Sequence, residues 1–269
     1  MVDDFLRGDQ TIQMKMLTLN DVHKADFEKA GFFVARNMVS SKRCHDLNVI
    51  AKQHLAKLIA PIEFEIDVSY PGAPSDASSL GSDTSRRLLQ AFARDELLRD
   101  WALDPNVNQI LSELLDSKEG MSVSQCHHNC IMTKAPGFSS ATLWHQDSRY
   151  WSFDNEDLIT VWLALGHEDK KNGCLRVIPG SHMLNLDVGR FDAAMFLRPD
   201  LPENKRLIQQ SRTVDLEPGD VLFFHSRLFH AAGRNLTNKT KLSVVFTYHQ
   251  TLNKPIEHTR SARFPSIKV

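Results

Sequence analysis

From Ser122 onward the chain is cut into short apolar segments by turn residues, and this punctuation restricts the fold more than any other feature. Strands are predicted at 123–133, 141–146, 158–165, 174–178, 212–216, 221–224, 228–232 and 242–249. Between them lie Ala135-Pro136-Gly137, Lys170-Lys171-Asn172-Gly173, Ile178-Pro179-Gly180 and Glu217-Pro218-Gly219-Asp220, each rich in residues that bend the backbone. The first third reads differently. A short helix is expected from an N-cap at Thr18 or Asn20 to Ala30, with Gly31 as its stop, followed by a strand at 32–35. Ser40 or Ser41 should cap a second helix running to about Ile59, where Leu47, Ile50, Ala51, Leu55 and Leu58 recur at helical spacing. Helical patterns follow at 85–102 and 105–115, after a Pro/Gly/Ser-rich loop at 70–82. An insert at 182–207 has a helical centre near 192–197. The expected architecture is mainly β: a double-stranded β-helix, or jelly roll, with helices packed on one sheet. We read a single domain over 1–269: a mainly helical part at 1–120, the jelly-roll core at 121–250 and a C-terminal tail at 251–269.

Charge and composition exclude several classes of function. A formal net charge of -1 offers no electrostatic reason to bind nucleic acid or an anionic membrane. No apolar run approaches the ~20 residues needed to span a bilayer, and the polar, acidic N-terminus does not resemble a secretory signal. The final residues Ser266-Ile267-Lys268-Val269 are not the peroxisomal tripeptide. Four cysteines in 269 residues indicate reduced thiols and a cytoplasmic setting. The group Cys126-His127-His128-Asn129-Cys130 has no second ligand pair, so a half-buried strand is the better reading than structural zinc.

The chemistry concentrates in Leu143-Trp144-His145-Gln146-Asp147. Two residues apart on an extended strand, His145 and Asp147 leave the same face. An imidazole beside a carboxylate supplies two ligands of a 2-His-1-carboxylate triad, which suits non-haem Fe(II) with open coordination positions. His230 is the candidate for the third. His225 competes with it but lacks the trailing Ala231-Ala232-Gly233-Arg234-Asn235 turn; His127, His128 and His249 read as structural histidines in strands.

Three linked motifs make the pattern specific: Trp144-His145-Gln146-Asp147, then Asn172-Gly173-Cys174-Leu175-Arg176-Val177-Ile178-Pro179-Gly180-Ser181-His182, then Gly219-Asp220-Val221-Leu222-Phe223-Phe224 leading to His230. Over about Phe27 to His249 their order and spacing resemble the phytanoyl-CoA dioxygenase family. The resemblance implies a double-stranded β-helix, Fe(II) held by His145, Asp147 and His230, 2-oxoglutarate as cosubstrate, and O2. It also implies that the retained Asp147 favours hydroxylation, since related halogenases lack this carboxylate.

One position departs from the family pattern. Where an arginine about eleven residues after the second histidine usually holds the distal carboxylate of 2-oxoglutarate, this chain has Lys241, and the small hydroxyl residue two after that histidine is Ala232. Lysine keeps the charge but loses the planar bidentate fork. Lys241 is the preferred anchor, with Arg234 as the alternative. Trp162 matches an aromatic lining the cosubstrate pocket; Cys130 and Thr142 are further candidates, and Lys134 shares a strand face with Cys130. Gln146, Arg149, Tyr150 and Trp151 follow the first ligands and are candidates for substrate contact, as is Arg86 with Arg87 on the predicted helix. The expected function is hydroxylation of an aliphatic C–H of a small molecule, with release of succinate and CO2. The alternative is a catalytically silent jelly roll that binds metal or ligand.

Overall fold

A computed structural model describes residues 21–68 and 70–269; the N-cap expected at Thr18 or Asn20 lies outside the described residues. Helix α1 (Asp21–Ala30) ends where Gly31, at φ +80°, donates its N–H to Phe27 O at 2.7 Å. Strand β1 (Phe32–Ala35) follows. Helix α2 (Ser41–Ala56) starts at Ser40, whose hydroxyl accepts from Arg43 N at 3.3 Å, satisfying one of the open donors of the first turn.

The larger sheet runs β1, β10 (Val221–His225), β7 (Leu158–Ala164), β12 (Lys241–Gln250), β5 (Asn129–Lys134), β3 (Ser85–Leu89) and β2 (Ile62–Phe64). All of these pairings are antiparallel. Strand β4 (Met121–Val123) joins one end of β12 and is itself paired with β13 (Ile267–Lys268). The smaller sheet runs β6 (Thr142–His145), β11 (His230–Ala232), β8 (Leu175–Val177) and β9 (Arg212–Thr213).

Alternation along the central strands separates two cores. Leu242, Val244, Phe246 and Tyr248 of β12, with Val161 and Leu163 of β7, join Leu47 of α2, Trp101 of α4 (Glu96–Ala102) and Leu111 of α5 (Pro105–Leu114). Val245 and Trp162 face the other way, onto Leu175, Val177 and Ala232 of the smaller sheet. Helices therefore cover one face of the large sheet while the small sheet covers the other, as a jelly roll with helices on one sheet requires. Burial on both faces explains why β7 and β10 read as continuous apolar runs.

Three expectations are corrected. The segment 85–102 is not one helix: β3 pairs with β5, opposing Leu88 to Ile131 and Leu89 to Cys130, and only then do α3 (Ala91–Arg94) and α4 form. Arg86 is thus 6% exposed on a strand, not on a solvated helix face. The predicted strand at 123–133 is interrupted. Val123 stands opposite Tyr248 and Asn129 opposite Phe246, so residues 124–128 loop out across the single position of Thr247 and place His127 and His128 in a bulge. The helical centre at 192–197 is a tight turn, held by the Asp192 carboxylate accepting from Ala194 N and Phe196 N at 2.9 Å each, with Met195 at φ +67°. The helix of the insert, α6, starts later at Pro202 and runs to Gln209. Within the C-terminal stretch 251–269, β13 pairs with β4 of the large sheet.

The Glu217–Asp220 turn fixes β10 against the N-terminal layer. Gly219 has φ +90°, and a Cβ there would sit 2.5 Å from Val39 O. Gly219→Ala should lower stability by about 1–3 kcal/mol through the left-handed backbone and this clash. Gly189→Ala, with nothing within 4 Å and no positive φ, should be neutral to within about 0.5 kcal/mol. Urea unfolding of the two variants checks the contrast.

Candidate active site

Antiparallel pairing sets His230 of β11 directly opposite His145 of β6, with ring centroids 4.2 Å apart. Gln146 continues the extended chain for one residue, and Asp147 then opens a 3-10 turn, Asp147–Tyr150. Asp147 Oδ1 lies 3.6 Å from His145 Nε2 and 3.9 Å from His230 Nε2. One ligand atom from each residue falls within 4.8 Å of the others, and all three residues are buried.

The remaining polar atoms fit a metal. His145 Nδ1 is 2.8 Å from Leu143 O, and His230 Nδ1 is 3.0 Å from Leu228 O. A carbonyl only accepts, so each Nδ1 carries the proton and each Nε2 turns its lone pair toward Asp147. Burial holds the His230 ring down to about 4, keeping it a neutral ligand. Burial alone would raise the Asp147 carboxyl; the imidazoles of His128, His230 and His145 outweigh it and hold the group well below the usual carboxylate range. Its second oxygen, Oδ2, has no hydrogen-bond partner among the described residues, a costly state for a buried anion that a cation would relieve.

The triad opens on a cavity of about 410 Å³ between the sheets. Lys241, Trp162, Cys130, Thr142, Tyr150, Trp151 and Arg86 line it. Gln146 and Arg149 are not among the lining residues. Gln146 spends its amide on Arg227 O and on Arg149 Nε, while the Arg149 guanidinium lies 3.7 Å from the centroid of Phe191. These contacts fix the turn that carries Asp147, and they leave neither side chain's polar end directed at the cavity. Arg234 is engaged elsewhere, donating to the carbonyls of Ser139 and Gly137. His225 turns Nε2 to Asp157 Oδ1 at 3.4 Å and accepts from Arg227 N, away from the triad.

Lys241 does reach the cavity, but in company. Its ammonium is 2.9 Å from Glu168 Oε2 and 4.9 Å from the centroid of Trp162. Glu168 also accepts from Ser243 Oγ at 2.6 Å and Trp162 Nε1 at 3.1 Å, and is fully buried. Lys134 stands opposite Lys241 across the β5–β12 pair, donates to Ser140 O at 2.9 Å, and has no carboxylate within 4.0 Å among the described residues. Burial and the nearby Arg86 and Lys241 cations hold its ammonium down to about 7. Burial holds Cys130 as a thiol, pushed up to about 12.

Sequence reasoning missed several residues of this wall. His128, read as a strand histidine, places Nδ1 3.6 Å from Asp147 Oδ2. Arg87, which the sequence offered beside Arg86, was not missed: it lines the cavity from β3, pairing with Glu63 at 3.1 Å. Tyr70, from the predicted loop, stacks 4.4 Å under Arg86. Arg260, Arg263 and Phe264 enter from the C-terminal stretch. The adjacent arginines at 86 and 87 were the one local signal for that pair; the others depend on tertiary folding.

A jelly roll of this topology, with two histidines and an aspartate gathered at one end of the interior, is the architecture of iron- and 2-oxoglutarate-dependent oxygenases. Solved structures share it: EctD from S. alaskensis with 2-oxoglutarate and 5-hydroxyectoine superposes with a TM-score of 0.73 at 19% identity, over 88% of this chain and 78% of that one. The epimerase SnoN, in complex with Fe3+, alpha ketoglutarate and nogalamycin RO, gives 0.70 at 20% identity, over 87% and 84%. Residues 27–243 match the family model of phytanoyl-CoA dioxygenase, PhyH, and the chain belongs to that family of 2-oxoglutarate-dependent dioxygenases. Iron, 2-oxoglutarate and O2 are the cofactors of this class. The peroxisomal phytanoyl-CoA dioxygenases of Mus musculus and Homo sapiens are each 27% identical to it, over 84% of this chain and 67% of theirs. Among the described residues no helix is long and apolar enough to cross a membrane.

Two predictions follow from the buried charges. Glu168→Ala strands the Lys241 ammonium, 3% exposed in its side chain, and should cost about 3–5 kcal/mol; Glu168→Leu with Lys241→Met should recover most of it in denaturant unfolding. Lys134 supplies a pH signature in protein without cosubstrate. The unfolded chain keeps this proton up to about 10.4, whereas the folded chain releases it near 7. The unfolded state binds more protons in that window, so stability should rise with pH between the two values. Lys134→Met should flatten the rise in urea midpoints measured from pH 7 to 10.

Proposed function

We propose that the chain hydroxylates an aliphatic C–H of a small molecule, consuming 2-oxoglutarate and O2 and releasing succinate and CO2. The observation that supports this reading is the convergence of His145 Nε2, His230 Nε2 and Asp147 Oδ1 on a cavity also lined by six cationic side chains. Iron held by these three residues supplies O2 activation coupled to oxidative decarboxylation of 2-oxoglutarate.

The protein's own residues divide the remaining work. Leu143 O and Leu228 O hold both imidazoles in the tautomer that offers Nε2. Lys134 and Lys241, neighbours across β5 and β12, present two ammonium groups to the distal carboxylate of the cosubstrate. Glu168 already neutralises Lys241, so Lys134 carries the charge that the carboxylate needs, and Lys241 adds a hydrogen bond. Trp162, Cys130 and Thr142 line the same cavity as these lysines and the triad. Tyr150 and Trp151, just beyond Asp147, flank the substrate side, where the Tyr150 hydroxyl is anchored to Ala194 O at 2.6 Å. Asp147 would serve as the third protein ligand to iron, and its presence where related halogenases lack a carboxylate favours hydroxylation. Free thiols at all four cysteines agree with a cytoplasmic setting.

The Lys241–Glu168 pair also supports a second reading, a jelly roll that binds metal without turnover, because the usual cosubstrate anchor is internally satisfied. Spectroscopy separates the two. Anaerobic protein with Fe(II) and 2-oxoglutarate should develop a weak visible charge-transfer band, and His145→Ala should lose it. Titrating that band, Lys134→Ala should weaken 2-oxoglutarate binding by about tenfold or more, and more than Lys241→Ala does. Metal uptake without the band, and without succinate from any substrate, would leave only the silent reading.

A further inference from the structure

The charges lining the cavity do not balance. Six cations face it, from Arg86, Arg87, Lys134, Lys241, Arg260 and Arg263, and the only carboxylate among the lining residues is Asp147. Three further carboxylates stand behind the wall: Glu63 and Glu65 against Arg86 at 3.4 and 3.5 Å, Glu63 also against Arg87, and Glu168 against Lys241. Iron and 2-oxoglutarate, two positive charges and two carboxylates, cancel each other on binding. Two positive charges stay uncompensated. Three lining cations, Lys134, Arg260 and Arg263, have no carboxylate within 4.0 Å among the described residues; Lys134 is assigned to the cosubstrate, and the two exposed arginines are left over.

These two arginines are held by a strap with defined anchors. Ser261, 2% exposed, bonds His127 Nε2 at 2.7 Å and accepts from Ser152 N at 2.8 Å. Three residues on, Phe264 N donates to Cys126 Sγ at 3.2 Å, and Pro265 O accepts from Gln125 Nε2 at 2.6 Å. His249 Nε2 then meets Ser266 Oγ at 2.8 Å. The strap is thus fastened to the 124–128 bulge, the same bulge that brings His128 beside Asp147, and moving its backbone away would break these hydrogen bonds, of which the His127–Ser261 bond is buried. Solvated arginines on a free tail would need no such fastening.

We infer that the Arg260–Phe264 strap is a substrate-recognition rim, and that the substrate is a small anion whose carboxylate or phosphate is taken by Arg260 and Arg263 while its apolar body enters toward the triad. Trp151 and Phe264, both lining the cavity, supply the apolar contact. At about 410 Å³, shared with the cosubstrate, the interior takes a compact body, near the lower end of the ~300–1,000 Å³ usual for ligand sites. Guanidinium forks match either oxyanion bidentately.

This inference rests on the dioxygenase reading, and the test keeps the two apart. Anaerobic protein carrying Fe(II) and 2-oxoglutarate is titrated with matched sets: alkyl and aryl carboxylates, their primary amides, the corresponding phosphate monoesters and the parent alcohols. The readout is the shift of the charge-transfer band that accompanies substrate binding next to the metal. Anionic members should shift the band and their neutral counterparts should not; the carboxylate and phosphate arms show which oxyanion is preferred. In R260Q/R263Q the effective anions should bind about tenfold to a hundredfold more weakly, and R260K/R263K should recover part of the loss. The inference is overturned if amides and alcohols act as strongly as the anions, if no anion in the sets shifts the band, or if R260Q/R263Q binds the anions like the unaltered protein. Absence of the band before any substrate is added would instead refute the dioxygenase reading itself.

Discussion

Everything at the active site depends on the register of one short strand. β11 has three residues, and its first, His230, stands opposite His145 on one side and Val177 on the other. A slip of one residue would turn His230 to the opposite face and leave an alanine in its place. The register is held from several directions. Ile178 N donates to Phe229 O at 2.9 Å, and Phe229 N donates to Ser181 Oγ at the same distance. Leu228 and Phe229 are fully buried just before the histidine. At the other end Gly173 lies so close to the outgoing chain that a Cβ there would stand 2.5 Å from Gly233 O. The Asn172–His182 motif therefore has a mechanical meaning: its glycine and serine clamp both ends of the strand that delivers the third ligand.

Around this centre the protein accepts a large burden of buried charge. Lys241 and Glu168 form an ion pair almost without solvent, which contributes little net stability because both ions lose their hydration. What the pair does is locate charge, fixing Trp162 and Ser243 through the same carboxylate. Arg86 is gripped in the same way by Glu65, Ser140 and Thr142, with Tyr70 beneath it. Buried, rigidly held cations act on an anionic ligand with less screening than surface lysines could.

How much of this was legible in the sequence differs by element. β7 and β10 were readable because burial on both faces leaves short, mostly apolar runs, and β12 because Leu242, Val244, Val245, Phe246 and Tyr248 carry a β-rich apolar pattern. His145, Asp147 and His230 were readable because a short-range spacing and two flanking motifs mark them. β3 was not, since Ser85-Arg86-Arg87-Leu88-Leu89 gives no period that separates strand from helix, and its pairing with β5 is settled only in three dimensions. The Asp192–Leu197 segment shows the opposite error: its apolar residues suggest a helix, yet the Asp192 side chain satisfies the backbone donors locally and closes a turn. Lys241 was placed on the correct strand, but its partner Glu168 lies on another segment, and nothing local announces a buried carboxylate. Gln146 and Arg149, adjacent to the ligands in sequence, turned out to brace the turn, whereas Arg260 and Arg263, distant in sequence, reach the cavity.

The central claim is that three side chains from two neighbouring strands and the turn between sheets bind one iron. Anomalous diffraction at the iron edge, from crystals grown anaerobically with Fe(II), tests it most directly. The account predicts a single strong peak within bonding distance of His145 Nε2, His230 Nε2 and Asp147 Oδ1. A peak elsewhere, such as one coordinated by His127 and Cys126, or no peak at the triad in iron-loaded crystals, would contradict it.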